Sequence, residues 1–414
     1  MLYQAFQVQS DLMWPMRMAS KLSLPFLQDS ASGAARSPSM RRMAAACHVM
    51  ELAQVTHKRP PWRIDQIAKR GLGREPGAAG EAWTVQEEVV LSTPFCTLLR
   101  FAKLDAPPSP KVLVVAPMSG HFATLLRDTV RTLLQDHDVY VTDWHNVRDV
   151  ALADGRFGLD EYTQTIMDFV AAMGPGVNIV AVCQPCVSAL AAVALMSEDA
   201  HPATPASLTL MAGPIDCRIN PTGVNKLAVT KPIEWFEKNL ISQVPWRHAG
   251  EGRRVYPGFV QLSAFMSMNK DRHSDAFKAY YQHLVADEFD KAEVTRTFYE
   301  EYMAVADLSA DFYLETVKLV FQDYALPKGE LRFRGRLVDP AAIRRTALLT
   351  VEGERDDICA VGQTLAAQDL ASSLRPYLRS HYVQPNVGHY GVFSGRRWQN
   401  EIYPVLRNVI QLSQ

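Results

Sequence analysis

VNIVAVCQPCVSALAAVALM, residues Val177 to Met196, joins a short apolar run to a longer run of small residues. The run up to Val182 has the length and β-branched content of a strand that is buried on both faces of a sheet. The alanine- and leucine-rich run that follows favours a helix. Cys183 stands at the junction and is expected to open that helix. The stretch therefore predicts a strand, a tight turn that carries a cysteine, and a helix.

Two chemistries fit a turn of this kind. The spacing of Cys183 and Cys186 is the C-x-x-C of thiol–disulfide exchange. A single nucleophile on a strand-to-helix turn is instead typical of a hydrolase. A thioredoxin-like unit is compact and carries its motif near its start, whereas long alternating segments lie on both sides of this motif. The position of the motif therefore favours the hydrolase interpretation.

Strands and helices alternate along the chain around this turn. Apolar residues recur at helical spacing between Phe122 and Leu134, and again from Leu159 to Met173. A pair of strands is expected between Trp83 and Lys103. The buried strands that we expect in addition are Lys111–Pro117, Asp138–Trp144, Asn178–Cys183 and Ser207–Gly213. This alternation predicts an α/β fold with a mostly parallel sheet and helices on both faces.

The pattern divides the chain into four segments. We expect an N-terminal helical extension at 1–82, the first part of the sheet core at 83–215, an inserted helical cap at 216–340, and the second part of the core at 341–414. The extension includes two small-residue linkers, DSASGAARSP from Asp29 and GREPGAAGE from Gly73. Strand-like runs recur after the helical segment. An insertion into the sheet domain therefore explains that segment better than a separate second domain does. Such an insertion would cover the carboxyl ends of the strands, where these sheets bind ligands.

The composition excludes several classes of protein. Lys and Arg number 43 and Asp and Glu 44 among 414 residues, so the chain lacks the basic footprint of a nucleic-acid binder. Six scattered cysteines form neither a disulfide scaffold nor a zinc-finger cluster, and we expect no metal site. The first residues lack the regions of a secretory signal, and no uninterrupted apolar run is long enough to span a bilayer. We therefore expect a protein of a reducing compartment.

Cys183 is the predicted nucleophile of an elbow between strand and helix. An elbow of the G-x-S-x-G type needs small residues two positions before and two positions after the nucleophile. Ala181 meets the first requirement. Pro185 is unusual at the second position, but it falls in the first helical turn, where a missing N–H is tolerated. The helix N-terminus favours the thiolate form of the cysteine.

An oxyanion hole is expected from backbone N–H groups. One donor is the residue after the nucleophile, Gln184, and the second comes from the loop after an earlier strand. In the loop PMSGH we expect Met118 to be that donor, with Ser119 next. Gly120 and His121 are the expected substrate contacts beside it, although a surface role for His121 fits equally well.

A base and an acid are expected in the chain order nucleophile, acid, histidine. His389, in PNVGHYG after the last expected strand, is the candidate base. Carboxylates in VEGERDD follow the preceding strand, and we expect Asp356 rather than Asp357 to orient the His389 ring and stabilise its protonated form. Asp216, after an earlier strand, is a rival for the acid.

The combination of motifs resembles the intracellular polyhydroxyalkanoate depolymerases, in particular the polyhydroxybutyrate depolymerases. The resemblance extends over nearly the whole chain and rests on LMWPMR, MSGHFATLLR, DWHNVRDVAL, VCQP, EGERDDI and NVGHYGVFSG. Members of the family look like α/β-hydrolases that use cysteine where lipases use serine, so the resemblance implies a triad of Cys183, Asp356 and His389. Cys186 departs from the pattern expected for the family, and we interpret it as a packing residue.

The resemblance also implies the reaction and its setting. It implies hydrolysis of polyester bonds through a covalent thioester. It implies contact with polymer granules through apolar residues of the cap or the N-terminus, and a cytoplasmic location. No cofactor is expected, but coenzyme A stays open as an acyl acceptor, because a thioester permits thiolysis. A homo-oligomer is also left open.

Three other functions stay open at this point. A polyhydroxyalkanoate synthase looks like a related cysteine enzyme, but its elbow usually keeps glycine near the nucleophile, unlike Ala181 and Pro185. A C-x-x-C redox protein is the second alternative. A granule-associated protein without catalytic activity is the third.

Overall fold

Strands and helices alternate through most of the chain in a computed structural model, which describes residues 2–28, 37–68, 82–268 and 270–414. Its strands are β1 (Gln66–Ala68), β2 (Ala82–Ser92), β3 (Cys96–Lys103), β4 (Lys111–Val115), β5 (Asp138–Trp144), β6 (Asn178–Val182), β7 (Ser207–Met211), β8 (Ser242–Gln243), β9 (Arg254–Tyr256), β10 (Leu308–Ser309), β11 (Arg332–Phe333), β12 (Arg336–Leu337), β13 (Ala347–Gly353) and β14 (Arg379–Gln384). Its α-helices are α1 (Leu2–Gln28), α2 (Pro38–Leu52), α3 (Arg127–Leu133), α4 (Leu159–Met173), α5 (Cys186–Glu198), α6 (Gly223–Val229), α7 (Ile233–Leu240), α8 (Gly258–Met268), α9 (Lys270–Val285), α10 (Phe289–Tyr302), α11 (Ala310–Thr316), α12 (Ala366–Leu370), α13 (Gly395–Arg397) and α14 (Tyr403–Leu412).

The largest sheet has nine strands in the order β1-β2-β3-β5-β4-β6-β7-β13-β14. The strands from β5 to β14 in this order run parallel to one another, whereas β1, β2 and β3 join antiparallel. Strands β6, β7 and β13 are buried along their whole length, as expected for parallel strands covered on both faces. This sheet, with a turn and a helix directly after its central strand β6, is that of an α/β-hydrolase and confirms the predicted fold class.

Helices α6 to α11 lie between β7 and β13, in the segment predicted as an insertion. This segment is not wholly helical, because β8, β9 and β10 form a small sheet and β11 pairs with β12. These strands have two or three residues each, which is too short for an alternating pattern to be visible in the sequence. The bounds of the four predicted segments stay a prediction.

Helices α1 and α2 precede the sheet. The start of α1 is anchored, because the Tyr3 hydroxyl donates a hydrogen bond to Asp307 at 2.8 Å and Phe6 stacks on Phe259 with ring centroids 4.1 Å apart. Of the first predicted linker, only Ser37 and Pro38 are described, and the second linker lies outside the described residues. No helix in the described ranges combines the length and the apolar character needed to cross a membrane.

The parallel strands determine where the predicted site residues lie. The carboxyl ends of β4, β6, β13 and β14 point to the same edge of the sheet. Met118 follows β4, Cys183 follows β6, Asp356 follows β13 and His389 follows β14. Residues that are far apart in the chain therefore meet at one edge.

Candidate active site

Cys183 occupies a strained turn between β6 and α5. Its φ is +68°, in the left-handed region that residues with a Cβ rarely adopt. Such strain is typical of a nucleophile elbow. Because of this turn, α5 begins at Cys186 and not at Cys183 as expected from the sequence. The Cys183 N–H donates to the Met211 carbonyl at 2.8 Å, and its side chain is half-buried at the sheet edge.

His389 links Cys183 to Asp356. Its Nδ1 is hydrogen-bonded to Oδ2 of Asp356 at 2.8 Å, and its ring lies close enough to Cys183 for the charge of a thiolate there to raise its pKa. Burial by itself lowers the pKa of His389, but the negative charges of Cys183 and Asp356 outweigh burial and hold this pKa well above its usual value. The three residues thus form a series, Cys183–His389–Asp356, with the histidine in the middle.

Asp356 is held in place by neighbouring backbone groups. Its Oδ1 accepts the N–H groups of Ile358 at 2.9 Å and Cys359 at 2.8 Å, which leaves Oδ2 for His389. Its side chain is fully buried, whereas Asp357 is exposed. Asp216, the other rival, is paired with Arg218 at 2.7 Å. Of the three candidate acids, Asp356 is therefore the one in contact with the histidine.

The two predicted oxyanion donors are linked by a side chain. The Met118 N–H donates to Oε1 of Gln184 at 3.4 Å. Within the described part of the chain, no partner accepts the Gln184 N–H. Ser119, the other predicted donor, is half-buried beside Met118. The expected oxyanion hole therefore contains one open donor and one donor covered by an amide oxygen.

The loop that carries Met118 is supported on both sides. Before it, the Ala116 carbonyl accepts hydrogen bonds from the Trp144 indole at 2.8 Å and the Tyr162 hydroxyl at 3.1 Å. After it, the backbone at Gly120 has a φ of +88°, and a Cβ at this position would lie 2.8 Å from Cγ of Gln261. Glycine is therefore required by the close approach of α8. This support keeps the backbone donor rigid, as an oxyanion hole requires.

His121 contacts the inserted segment. Its ring is buried, its Nε2 is hydrogen-bonded to the Tyr302 carbonyl at 3.1 Å, and it stacks on Phe265 with ring centroids 5.9 Å apart. These contacts tie the loop after β4 to helices α8 and α10. Substrate contact by Gly120 and His121 stays a prediction.

Burial of His121 makes the fold sensitive to acid. Burial lowers the pKa of His121 to about 4, so the unfolded chain binds this proton at a higher pH than the folded chain does. The stabilising effect is complete above the ordinary pKa of about 6.5 and is lost as pH falls toward 4, by up to about 3 kcal/mol. We expect His121→Gln to lose less stability than the wild type between pH 7 and pH 4.5, as measured by urea unfolding. Parallel losses in the two proteins would contradict this expectation.

Cys186 packs beneath the elbow. Its side chain is fully buried with Sγ 3.3 Å from the Ala181 carbonyl oxygen, and burial raises the pKa of its thiol well above the usual value. Both Cys183 and Cys186 are free thiols. A buried thiol of raised pKa is a poor partner for disulfide exchange. The geometry thus favours the packing interpretation of Cys186.

A cleft of about 530 Å³ lies between α3, α10 and the residues that follow His389. Its apolar lining includes Leu125, Phe298, Tyr390 and Phe393. The rings of Tyr390 and Phe393 stand edge-on to His389, with centroids 6.0 Å and 5.8 Å away. The cleft therefore reaches the immediate neighbours of the candidate base.

Two residues that support the acid loop were not singled out from the sequence. Glu352 and Thr364 are both fully buried; the Glu352 carboxylate accepts the Thr364 N–H, and the Thr364 hydroxyl donates to the Gly213 carbonyl. Glu352 could have been identified from the sequence, because a carboxylate within an apolar strand needs a hydrogen-bonding partner. Thr364 has no such signal, since a threonine in a loop is ordinary.

Solved structures similar to the chain include two hydrolases. The 2-hydroxy-6-oxo-6-phenylhexa-2,4-dienoate hydrolase from Rhodococcus sp. strain RHA1 is 14% identical, with a TM-score of 0.42 over 79% of this chain and 100% of that one. A thermophilic esterase from Thermogutta terrifontis is 14% identical, with a TM-score of 0.42 over 79% and 99% of the two chains. Similarity at this level is too low to support an assignment. The fold assignment therefore rests on the strand order of the nine-stranded sheet.

The carboxyl-terminal half of the chain, residues 212–414, matches the family model described as PHB de-polymerase C-terminus. A search of the curated proteins gives no match. The matched half carries Asp356 and His389, while Cys183 lies before it. By this match and by its sheet order, the chain belongs to the polyhydroxybutyrate depolymerases of α/β-hydrolase type and is a carboxylic ester hydrolase.

Proposed function

We propose that the chain hydrolyses ester bonds of poly(3-hydroxybutyrate), with Cys183 as nucleophile, His389 as base and Asp356 as the residue that orients the base. The observation that carries the proposal is the Cys183–His389–Asp356 series, in which Asp356 is hydrogen-bonded to His389 at 2.8 Å and Cys183 lies on a turn with a φ of +68°. The decisive measurement is release of 3-hydroxybutyrate from amorphous granules by the purified protein, with and without a thiol at residue 183. Intact polymer after incubation with the wild type would contradict the proposal.

The first half of the reaction forms a thioester. His389 takes the proton of Cys183, and the thiolate attacks the carbonyl carbon of an ester. The carbonyl π electrons move to the oxygen, and the N–H groups of Gln184 and Met118 hold the resulting oxyanion. When the tetrahedral intermediate collapses, the C–O bond breaks and the His389 imidazolium protonates the leaving alkoxide. The 3-hydroxyacyl group is then bound to Cys183.

The Gln184 side chain has to move before an ester carbonyl can bind in this way. Its Oε1 accepts the Met118 N–H at 3.4 Å, which is the interaction proposed for the oxyanion. This distance is long for an N–H···O hydrogen bond, so breaking it costs about 1 kcal/mol or less. The side chain would keep the donor satisfied until substrate replaces it.

Water is the proposed acceptor of the acyl group, and no cofactor is required. His389, neutral again, takes a proton from water as the water oxygen attacks the thioester. The C–S bond then breaks, the thiol of Cys183 is restored and the hydroxy acid leaves. Coenzyme A is a second acceptor compatible with a thioester, because its thiol can take the place of water. Comparing 3-hydroxybutyryl-CoA with free 3-hydroxybutyrate among the products distinguishes the two acceptors.

An exposed apolar face of α1 supports contact with the polymer surface. We call this face the α1 stripe; its members have exposed fractions between 47% and 77% and are Val8, Leu12, Met16, Leu22 and Phe26. Their spacing puts them on one side of the helix, opposite the buried residues Tyr3 and Leu24. We propose that the protein works in the cytoplasm on polymer granules and that the α1 stripe lies against the granule.

Polar substitutions on the α1 stripe are expected to weaken granule binding. Burying two exposed leucines stabilises association by about 3 kcal/mol, so Leu12→Ser with Leu22→Ser should lower the bound fraction at least about tenfold. Co-sedimentation with amorphous granules measures this effect, and hydrolysis of a soluble ester should be unchanged. The matched control is Leu152→Ser with Leu412→Ser, two leucines outside the cap and the N-terminal extension that are also exposed, at 59% and 88%. Equal loss of binding in the control would show that the α1 stripe is not the contact.

A further inference from the structure

Glu352 is a buried carboxylate at the end of β13. It accepts hydrogen bonds from the backbone N–H groups of Gly362 at 3.0 and 2.9 Å, Thr364 at 2.7 Å and Leu365 at 3.0 Å. Its side chain is fully buried, and Nε2 of His381 lies 3.7 Å away. Burial of a carboxylate is costly unless hydrogen bonds satisfy its charge, and these N–H groups do so. The carboxylate therefore fixes residues 362–365 to the end of β13.

Thr364 links this clamp to the nucleophile elbow. Its Oγ1 accepts the Gly213 N–H at 2.8 Å and donates to the Gly213 carbonyl at 3.1 Å. Gly213 follows β7, whose last residue Met211 accepts the N–H of Cys183 at 2.8 Å. A Cβ on Gly213 would lie only 3.2 Å from the Cys183 carbonyl oxygen, so the two backbones are in close contact. The hydroxyl of Thr364 thus joins the acid loop to the backbone against which the elbow packs.

The segment between Glu352 and Thr364 carries Asp356. One end of this segment is fixed by β13, and the other is fixed by the Glu352 carboxylate and by Gly213. Between these ends, Asp356 has to keep its Oδ2 within 2.8 Å of Nδ1 of His389. A displacement of about 1 Å in such an arrangement lowers a reaction rate by up to about 10²-fold.

We propose that Glu352 and Thr364 are positioning residues for the Cys183–His389–Asp356 series. Together they set the distance between the loop of the acid and the elbow of the nucleophile. They act through Asp356 and through Gly213, and not by contact with the substrate. The proposal rests on the proposed function and adds to it the groups that maintain the geometry of the series.

Substitutions of Thr364 test this role. Thr364→Val keeps the shape of the side chain but leaves the Gly213 N–H unpaired and removes one of the two donors to the Gly213 carbonyl, which keeps the Ile215 N–H at 2.9 Å. Thr364→Ser keeps the hydroxyl. On a soluble trimer of 3-hydroxybutyrate, we expect kcat of the valine variant to fall at least about tenfold with KM unchanged. The serine variant should stay within about threefold of the wild type. The pH midpoint of Cys183 alkylation by iodoacetamide should rise in the valine variant alone, because a displaced Asp356 supports the charge of His389 less well.

Several outcomes would overturn the proposal. Wild-type kcat and a wild-type alkylation profile in folded Thr364→Val would do so, as would equal losses in the valine and serine variants. If circular dichroism shows that the valine variant is unfolded, Thr364→Ala and Glu352→Gln take its place with the same expected direction. Cys183→Ala is assayed in parallel, because hydrolytic activity in that variant would contradict the proposed function itself. If Cys183→Ala is inactive while Thr364→Val is fully active, only the positioning role is contradicted and the proposed function stands.

Discussion

Replacing Cys183 by alanine should abolish hydrolysis of the polymer, with kcat reduced at least about 10³-fold. In the proposed mechanism Cys183 supplies the atom that attacks the carbonyl, and the neighbouring His389 accepts its proton. Without the sulfur, only substrate binding and the oxyanion donors remain to accelerate the reaction. The measurement is the initial rate of 3-hydroxybutyrate release from amorphous granules, normalised to folded protein.

Cys186→Ala is the matched control, since it removes a thiol that is fully buried beneath the elbow. Loss of the sulfur leaves a small cavity that costs about 1 kcal/mol of stability, and activity should stay within a few-fold of the wild type. Full activity in Cys183→Ala would exclude the cysteine mechanism. Equal loss in Cys186→Ala, together with a detected dithiol–disulfide change, would favour the redox alternative.

Replacing Asp356 by asparagine should lower kcat by about 10³-fold, because a neutral amide cannot stabilise the imidazolium that forms at His389. The charge of Asp356 is one of the causes that hold the pKa of His389 above its usual value, so its removal lowers that pKa. His389 then holds its proton less well at neutral pH, and the thiolate of Cys183 loses its partner. Alkylation of Cys183 at pH 7 should therefore slow down in this variant.

Asp357→Asn provides the control for the acid, because it makes the same chemical change at the next residue. Asp357 is exposed, whereas Asp356 is buried and hydrogen-bonded to His389 at 2.8 Å. We expect the control to keep activity within about twofold of the wild type, as is usual for surface substitutions. If Asp357→Asn or Asp216→Asn lost as much activity as Asp356→Asn, the assignment of the acid would be wrong.

The sequence was sufficient for the fold class and for the candidate nucleophile and base. Buried strands are visible as short apolar runs, and Cys183 follows such a run, while His389 comes after the last predicted strand of the chain. These are local properties, because a strand and the turn after it are determined largely by neighbouring residues. The start of α5 at Cys186 was not predicted, since composition does not report a φ of +68° at Cys183.

Only the tertiary structure decided which carboxylate meets His389 and what holds it there. The sequence favoured Asp356 over its chemically identical neighbour Asp357, but burial and the 2.8 Å contact with His389 are what distinguish the two. Thr364 and Gly213 are 151 residues apart in the chain, and the two oxyanion donors Met118 and Gln184 are 66 residues apart. Periodicity in a sequence reports which face of an element is buried. The partners of a side chain at a strand end depend instead on where distant loops meet, and no local pattern records that.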